Sequence, residues 1–141
     1  MLFNDAMAQV KRGQLNEACP KFEESLRQSY NINAHYFLAD CWERQGRTAT
    51  AWTTFLRVAT NARDANDEGR EAAARKRAES LEPKLVRLRI LVTRDVDGLE
   101  VRRNGNLVGR PMWTEVVPVD PGDVEFTATA PGFEPFKTTV S

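Results

Sequence analysis

Apolar residues recur three or four positions apart from Leu2 to about Glu82, and after Pro83 they alternate with polar ones. The first spacing follows one face of an α-helix and the second one face of a β-strand. Leu38 and Trp42 share one helical stripe, and Ala51, Phe55 and Ala59 share another. Gly13 and Gly46 break the helical pattern, and glycine accepts the left-handed backbone with which a helix ends and the chain reverses. The stretch GQLNEACPKFEESL, residues 13 to 26, returns in altered form as GRTATAWTTFLRVA, residues 46 to 59. Gly13, Ala18, Phe22 and Leu26 thus recur as Gly46, Ala51, Phe55 and Ala59. The alanine, early in a helix, lets two antiparallel helices approach closely, and the aromatic one turn later fills the space between them. A helix, glycine turn and helix repeating at this interval predict stacked hairpins, because one hairpin alone cannot bury its apolar face. Pro20 is expected in the first turn of a helix capped by Asn16, where a missing amide costs little.

A fifth helix is predicted in DEGREAAARKRAESLEP. Asp67 caps it, Ala74, Ala78 and Leu81 form a narrow apolar stripe expected to meet Trp52, and Glu82 before Pro83 ends it. Glu71 and Arg75 are four apart, a stabilising pair on an exposed face. The run Arg75, Lys76, Arg77 is distributed around the helix and reads as a solvated face, not a nucleic-acid patch.

Beyond Lys84, LVRLRILVT places Val86, Leu88, Ile90 and Val92 on one face, and DVEFTATA does the same for Val124, Phe126, Ala128 and Ala130. Asn104-Gly105 is a type I′ hairpin signal, and DPGD and APGF put proline before glycine as type II turns require. Five or six short strands in this span predict a small antiparallel β-sandwich. The fold class is therefore α+β, with helical hairpins in residues 1-83 and the β-sandwich in residues 84-141.

The helical part resembles the tetratricopeptide repeat (TPR). Leu38, Ala39, Trp42, Gly46, Ala51, Phe55 and Ala59 fall on that family's signature offsets, as do Ala6, Gly13, Ala18, Phe22 and Leu26 in the first unit. Asp5 and Gln9 depart from its large apolar positions, and Tyr30 stands where proline is customary. The second part resembles the PEGA family of small β domains, through its NG turn, the VG before a proline, the turn at PG 121–122 and the ending PGFEPF. Asn104 takes a position where aspartate is usual there, and DVDGLE replaces the family's opening tetrapeptide. The combination resembles helical-repeat proteins with a PEGA-like tail frequent among myxobacteria and their relatives. That resemblance implies a periplasmic or envelope-associated assembly module, with a cytoplasmic one as the alternative.

The twenty basic and twenty acidic side chains cancel and are mixed along the chain, so no field exists to gather nucleic acid. No apolar run is long enough for a membrane span. The opening MLFNDAMAQV lacks the basic start and apolar core of a signal peptide, so a targeting segment for an exported chain is expected ahead of Met1. Two cysteines and one histidine, His35, are too few for a zinc cluster. No serine, histidine and acid pattern, paired-carboxylate context or phosphate-cradling loop appears, so no catalytic residue, metal or cofactor is assigned and the expected class is non-enzymatic.

If α-hairpins reverse near Tyr30, Cys19 and Cys41 lie equally far on either side and come level. They then form either a disulfide or a pair of small buried thiols. Tyr36, Asp40, Glu43 and Arg44 share a helix face opposite Ala39 and Trp42. In tetratricopeptide proteins the matching face lines the groove that grips a partner, so these four are the candidate protein-binding residues. Trp113, Phe133 and Phe136 are expected to complete the core of the β domain, with stacking on a sugar or anchoring of a partner as the alternative, and Trp113, beside Pro111 and Met112 in a loop, is its candidate contact. The leading reading is a protein-interaction scaffold. Its rivals are a carbohydrate- or peptidoglycan-binding protein using Trp113 on a cell-wall polymer, and a homo-oligomeric structural subunit assembled through the open end of the helical stack.

Overall fold

The computed structural model describes residues 2–141, and five helices precede six short strands. The helices are α1 (Leu2–Lys11), α2 (Leu15–Gln28), α3 (Ile32–Arg44), α4 (Thr48–Asp64) and α5 (Glu68–Leu81). A single 3₁₀ turn, Glu82–Lys84, leads into β1 (Val86–Leu88), β2 (Glu100–Arg103), β3 (Asn106–Val108), β4 (Val117–Val119), β5 (Val124–Thr129) and β6 (Phe136–Val140). The fold is thus α+β, in two compact units, one running to Val86 and one from Arg87 to Ser141. Among the described residues no helix is long and apolar enough to cross a membrane.

The turns after α1 and α3 are built alike. Gly13 and Gly46 adopt φ of +74° and +83°. In each turn the next amide reaches back five residues, Gln14 to the carbonyl of Gln9 at 2.8 Å and Arg47 to that of Trp42 at 2.9 Å. Those bonds satisfy carbonyls that a helix end would otherwise leave open. The end of α4 does the same without glycine: Asn66 takes φ +58°, and Asp67 donates to the carbonyl of Ala62 at 2.8 Å. The side chain of Asp67 then caps α5 by accepting from the amide of Arg70 at 3.0 Å.

Two layers of core result. Ala6, Ala18, Cys19, Phe22, Leu38 and Cys41 fill the space among α1, α2 and α3. Ala39, Ala51, Phe55, Val58 and Ala59 meet Ala74, Ala78 and Leu81 of α5 in the second layer, with Trp52 packed against it. Trp42 packs against both, so α3 is the shared wall. The recurring Ala18, Phe22, Ala51, Phe55 and Ala59 have no exposed surface at all.

Pro20 lies deeper in its helix than the sequence places it. The helix α2 starts at Leu15, directly after the turn, so Pro20 is its sixth residue and Asn16 is inside the helix instead of capping it. The early start packs Leu15 against the first core layer. Asn16 instead accepts from the Gln45 side-chain amide at 3.1 Å, linking the two turns.

In the second unit β3, β2, β5 and β6 form an antiparallel sheet in that order, and β1 lies beside β4 in a separate two-stranded sheet. Directly opposed residues share a face. Val101 opposes Val108 and Ala128, Ala128 opposes Phe136, Phe126 opposes Thr138, and Val124 opposes Val140. One face is therefore mainly apolar. The other carries Arg102, Thr127, Lys137 and Glu125. Asn104 and Gly105 make the turn between β2 and β3 with φ of +49° and +83°, as a type I′ hairpin needs.

Two expectations for this unit need correcting. The strand predicted through Ile90 and Val92 stops at Leu88, because its partner β4 is only three residues long and contains Pro118, which has no amide for a ladder. Beyond it the Ile90 carbonyl accepts from the amide of Thr114 at 2.8 Å, and the alternation survives only as burial, with Ile90 and Val92 half-buried and Leu91 exposed. Phe133 and Phe136 do not complete the core; both are more than half exposed, Phe133 in the turn before β6 and Phe136 on that edge strand.

Candidate functional site

Three of the four candidate residues on α3 are drawn together by one side chain from α5, and the fourth, Arg44, pairs with one of them. Arg77 donates to the Asp40 carboxylate at 2.7 Å, to Glu43 at 3.0 Å and to the Tyr36 hydroxyl at 3.2 Å. Arg44 closes on the same Asp40 from one turn along α3, at 2.8 Å. The guanidinium of Arg77 lies 4.7 Å from the centre of the Phe55 ring, and that of Arg70 lies 4.9 Å from the Tyr36 ring. Arg70 also donates to the side chain of Asn33. Asp40 retains only 8% exposure.

Arg77 ends the basic run that the sequence places in solvent, yet it is half-buried and makes three charged or polar bonds. It lies three residues after Ala74 and four before Leu81, which puts it on the buried stripe of α5. Burial by itself works against its charge. The hydrogen bonds it donates to Asp40, Glu43 and Tyr36 outweigh that and hold its pKa above the ordinary arginine value. Its neighbour Arg75 does behave as a surface residue, paired with Glu71 at 3.1 Å.

A second polar cluster joins α3 to α4. The Asn61 amide donates to the Tyr30 hydroxyl at 2.8 Å, and that hydroxyl lies 3.0 Å from Nδ1 of His35. Burial, and secondarily the nearby Arg57 charge, lower the His35 pKa below 6.5. A histidine with a depressed folded pKa favours the folded state while it is neutral. The stability it contributes is therefore complete above pH 6.5 and is lost as pH falls from there through the lower folded value. Urea midpoints of the natural chain and His35→Asn should converge between pH 7.5 and pH 5; a constant gap would remove His35 as the cause.

Cys19 on α2 and Cys41 on α3 stand at disulfide-bonding distance, with Cα atoms 5.7 Å apart, and both are enclosed in the first core layer. Trp113 follows the 3₁₀ turn Arg110–Met112 and is half-buried. Its indole donates to the Val108 carbonyl at 3.0 Å, and the Arg110 guanidinium, itself paired with Asp95, lies 4.8 Å from its ring centre. Trp113 thereby secures the exit from β3, with Arg110 against its ring. Among the described residues no three His, Cys, Asp or Glu side chains gather closely enough to hold a metal ion.

The chain matches no family model, no curated protein and no solved structure.

Proposed function

We propose that this chain is a non-enzymatic protein-interaction module of the bacterial cell envelope, in which helix pairs of tetratricopeptide type engage a partner and a PEGA-like β domain acts as spacer or second docking face. The observation that carries this reading is the reach of Arg77 from α5 to Tyr36, Asp40 and Glu43 on α3. Helices one step apart in the stack contribute to one polar surface, which is how helical repeats build recognition faces from successive units. The clamp also fixes the rotamers of those side chains in advance, lowering the entropy cost of meeting a partner. Cysteines at bonding distance support an oxidising compartment.

Arg44 is the natural probe, because its side chain is 58% exposed while its ion pair orients it on that face. The full chain, immobilised and offered an envelope fraction, should retain a discrete partner. Arg44→Glu should weaken that complex about tenfold, a loss of about 1.4 kcal/mol, while the like charge it sets four residues from Asp40 lowers the protein's own stability by less than about 1 kcal/mol. Equal affinity of the natural chain and Arg44→Glu would remove the α3–α5 face as the contact.

A further inference from the structure

The four-stranded sheet ends in an unguarded strand. β6 is its edge, and all five residues from Phe136 to Val140 are exposed. The opposite edge, β3, has three residues and runs directly into Gly109 and a 3₁₀ turn containing Pro111, so it offers little ladder to another chain. Long edges are ordinarily blunted by a bulge, a proline or a charge, lysine above all. Lys137 is the one charge in β6, and it lies on the polar face, 3.3 Å from the carboxylate of Glu125. On the apolar face Phe136 is 63% exposed and Val140 40% exposed. A cavity of about 550 Å³ runs along that face, lined by Ile90, Leu91, Phe126, Phe136 and Val140 among others.

We propose that β6 pairs antiparallel with β6 of a second copy of this chain about a two-fold axis at Thr138, joining two four-stranded sheets into one. The strand's own sequence selects this register. Centring on Thr138 sets Phe136 against Val140 of the second copy and Lys137 against Thr139, so all five residues pair and apolar meets apolar. Centring on Lys137 opposes two like charges and brings Pro135, which has no amide, into the ladder. Centring on Thr139 carries Phe136 past the end of the second copy's strand at Val140. A shift by half a step matches the apolar face of one copy to the polar face of the other. In the selected register each lysine also keeps its Glu125 on the neighbouring strand. The two copies thus carry complementary halves of one interface, which commits the occupant to a second copy.

The size of the contact sets its strength. Phe136, Val140 and the five-residue backbone would remove roughly 300–450 Å² per copy from water, about half of the ~800 Å² per partner of standard stable complexes. The dimer is therefore weak, with Kd in the range of about 10 μM to 1 mM. It forms where the chain is concentrated or tethered.

Cross-linking and sedimentation of the full chain test this directly. Under mild oxidation Thr138→Cys should give a covalent dimer at least tenfold faster than Thr139→Cys, because only residue 138 faces its own counterpart across the axis. Cys19 and Cys41 are enclosed and do not compete for the new thiol. Sedimentation of the natural chain should show mass rising toward a dimer with concentration, and Phe136→Lys should shift that rise at least tenfold upward with an unchanged thermal midpoint. Equal cross-linking rates, monomers throughout the millimolar range, or association that persists undiminished in Phe136→Lys would each overturn the proposal. None of these readings involves the α3–α5 face, so failure here and failure of the proposed function are separately visible.

Discussion

Phe55→Ala should cost the helical unit about 3–5 kcal/mol, the largest single loss expected from any one side chain. The ring is fully enclosed and meets Tyr36 edge-on at a centroid distance of 5.4 Å, with the Arg77 guanidinium over it. Alanine there leaves a void among Ala39, Val58 and Ala74, whose short side chains cannot move in to fill it. It also removes the platform beneath Arg77. A unit of this size holds on the order of 4–13 kcal/mol in total, so the variant stands close to unfolding at room temperature. Urea denaturation followed by helical circular dichroism measures the loss. Phe133→Ala, at an exposed position, should cost less than about 0.5 kcal/mol. Because Arg77 lies against the Phe55 ring, Phe55→Ala and Arg77→Met should not be additive, and the shortfall measures how far the polar clamp depends on the core beneath it. A loss below about 1 kcal/mol for Phe55→Ala would mean that the second layer is not packed as described.

Removing the Cys19–Cys41 cross-link should cost about 3 kcal/mol, from the loop entropy returned to the unfolded chain by a bond closing 22 residues. The double variant Cys19→Ala with Cys41→Ala should lose somewhat more than simple reduction, because both sulfur atoms help to fill the first core layer. The comparison is between urea midpoints of oxidised, reduced and doubly substituted protein, with the redox state verified by the mass gained on reduction. Identical midpoints before and after reduction would show that the two thiols act only as packing.

Most of the helical unit was legible because its determinants are local and repeated. A glycine that must adopt positive φ, an alanine at a close approach and an aromatic one turn later constrain a hairpin without reference to anything distant. Asp67 and the Asn104-Gly105 turn were readable for the same reason. The misplacements occur where a non-local partner decides. Pro20 entered the helix interior because Leu15 is drawn to the core, a packing effect that outranks the preference of proline for a first turn. Arg77 looked like part of a charge run until its spacing from Ala74 and Leu81 is set beside Asp40 and Glu43 on another helix. The α3 residues grouped correctly by periodicity, but their engagement by Arg77 depends on the stacking of α5, which no short window contains. The strand beyond Leu88 failed for want of a partner of equal length, since alternation specifies a face and not a ladder.

Trp42 packs in both layers, and the other core residues of α3 divide between them, Leu38 and Cys41 in the first and Ala39 in the second. In an array whose layers touch only through neighbours, an end can fray while the remainder persists. Here opening from either terminus halts at a helix that cannot melt without dissolving the other side. Amides of α3 should accordingly exchange with solvent only through global opening, whereas those of α1 and α5 can also exchange by fraying from the ends.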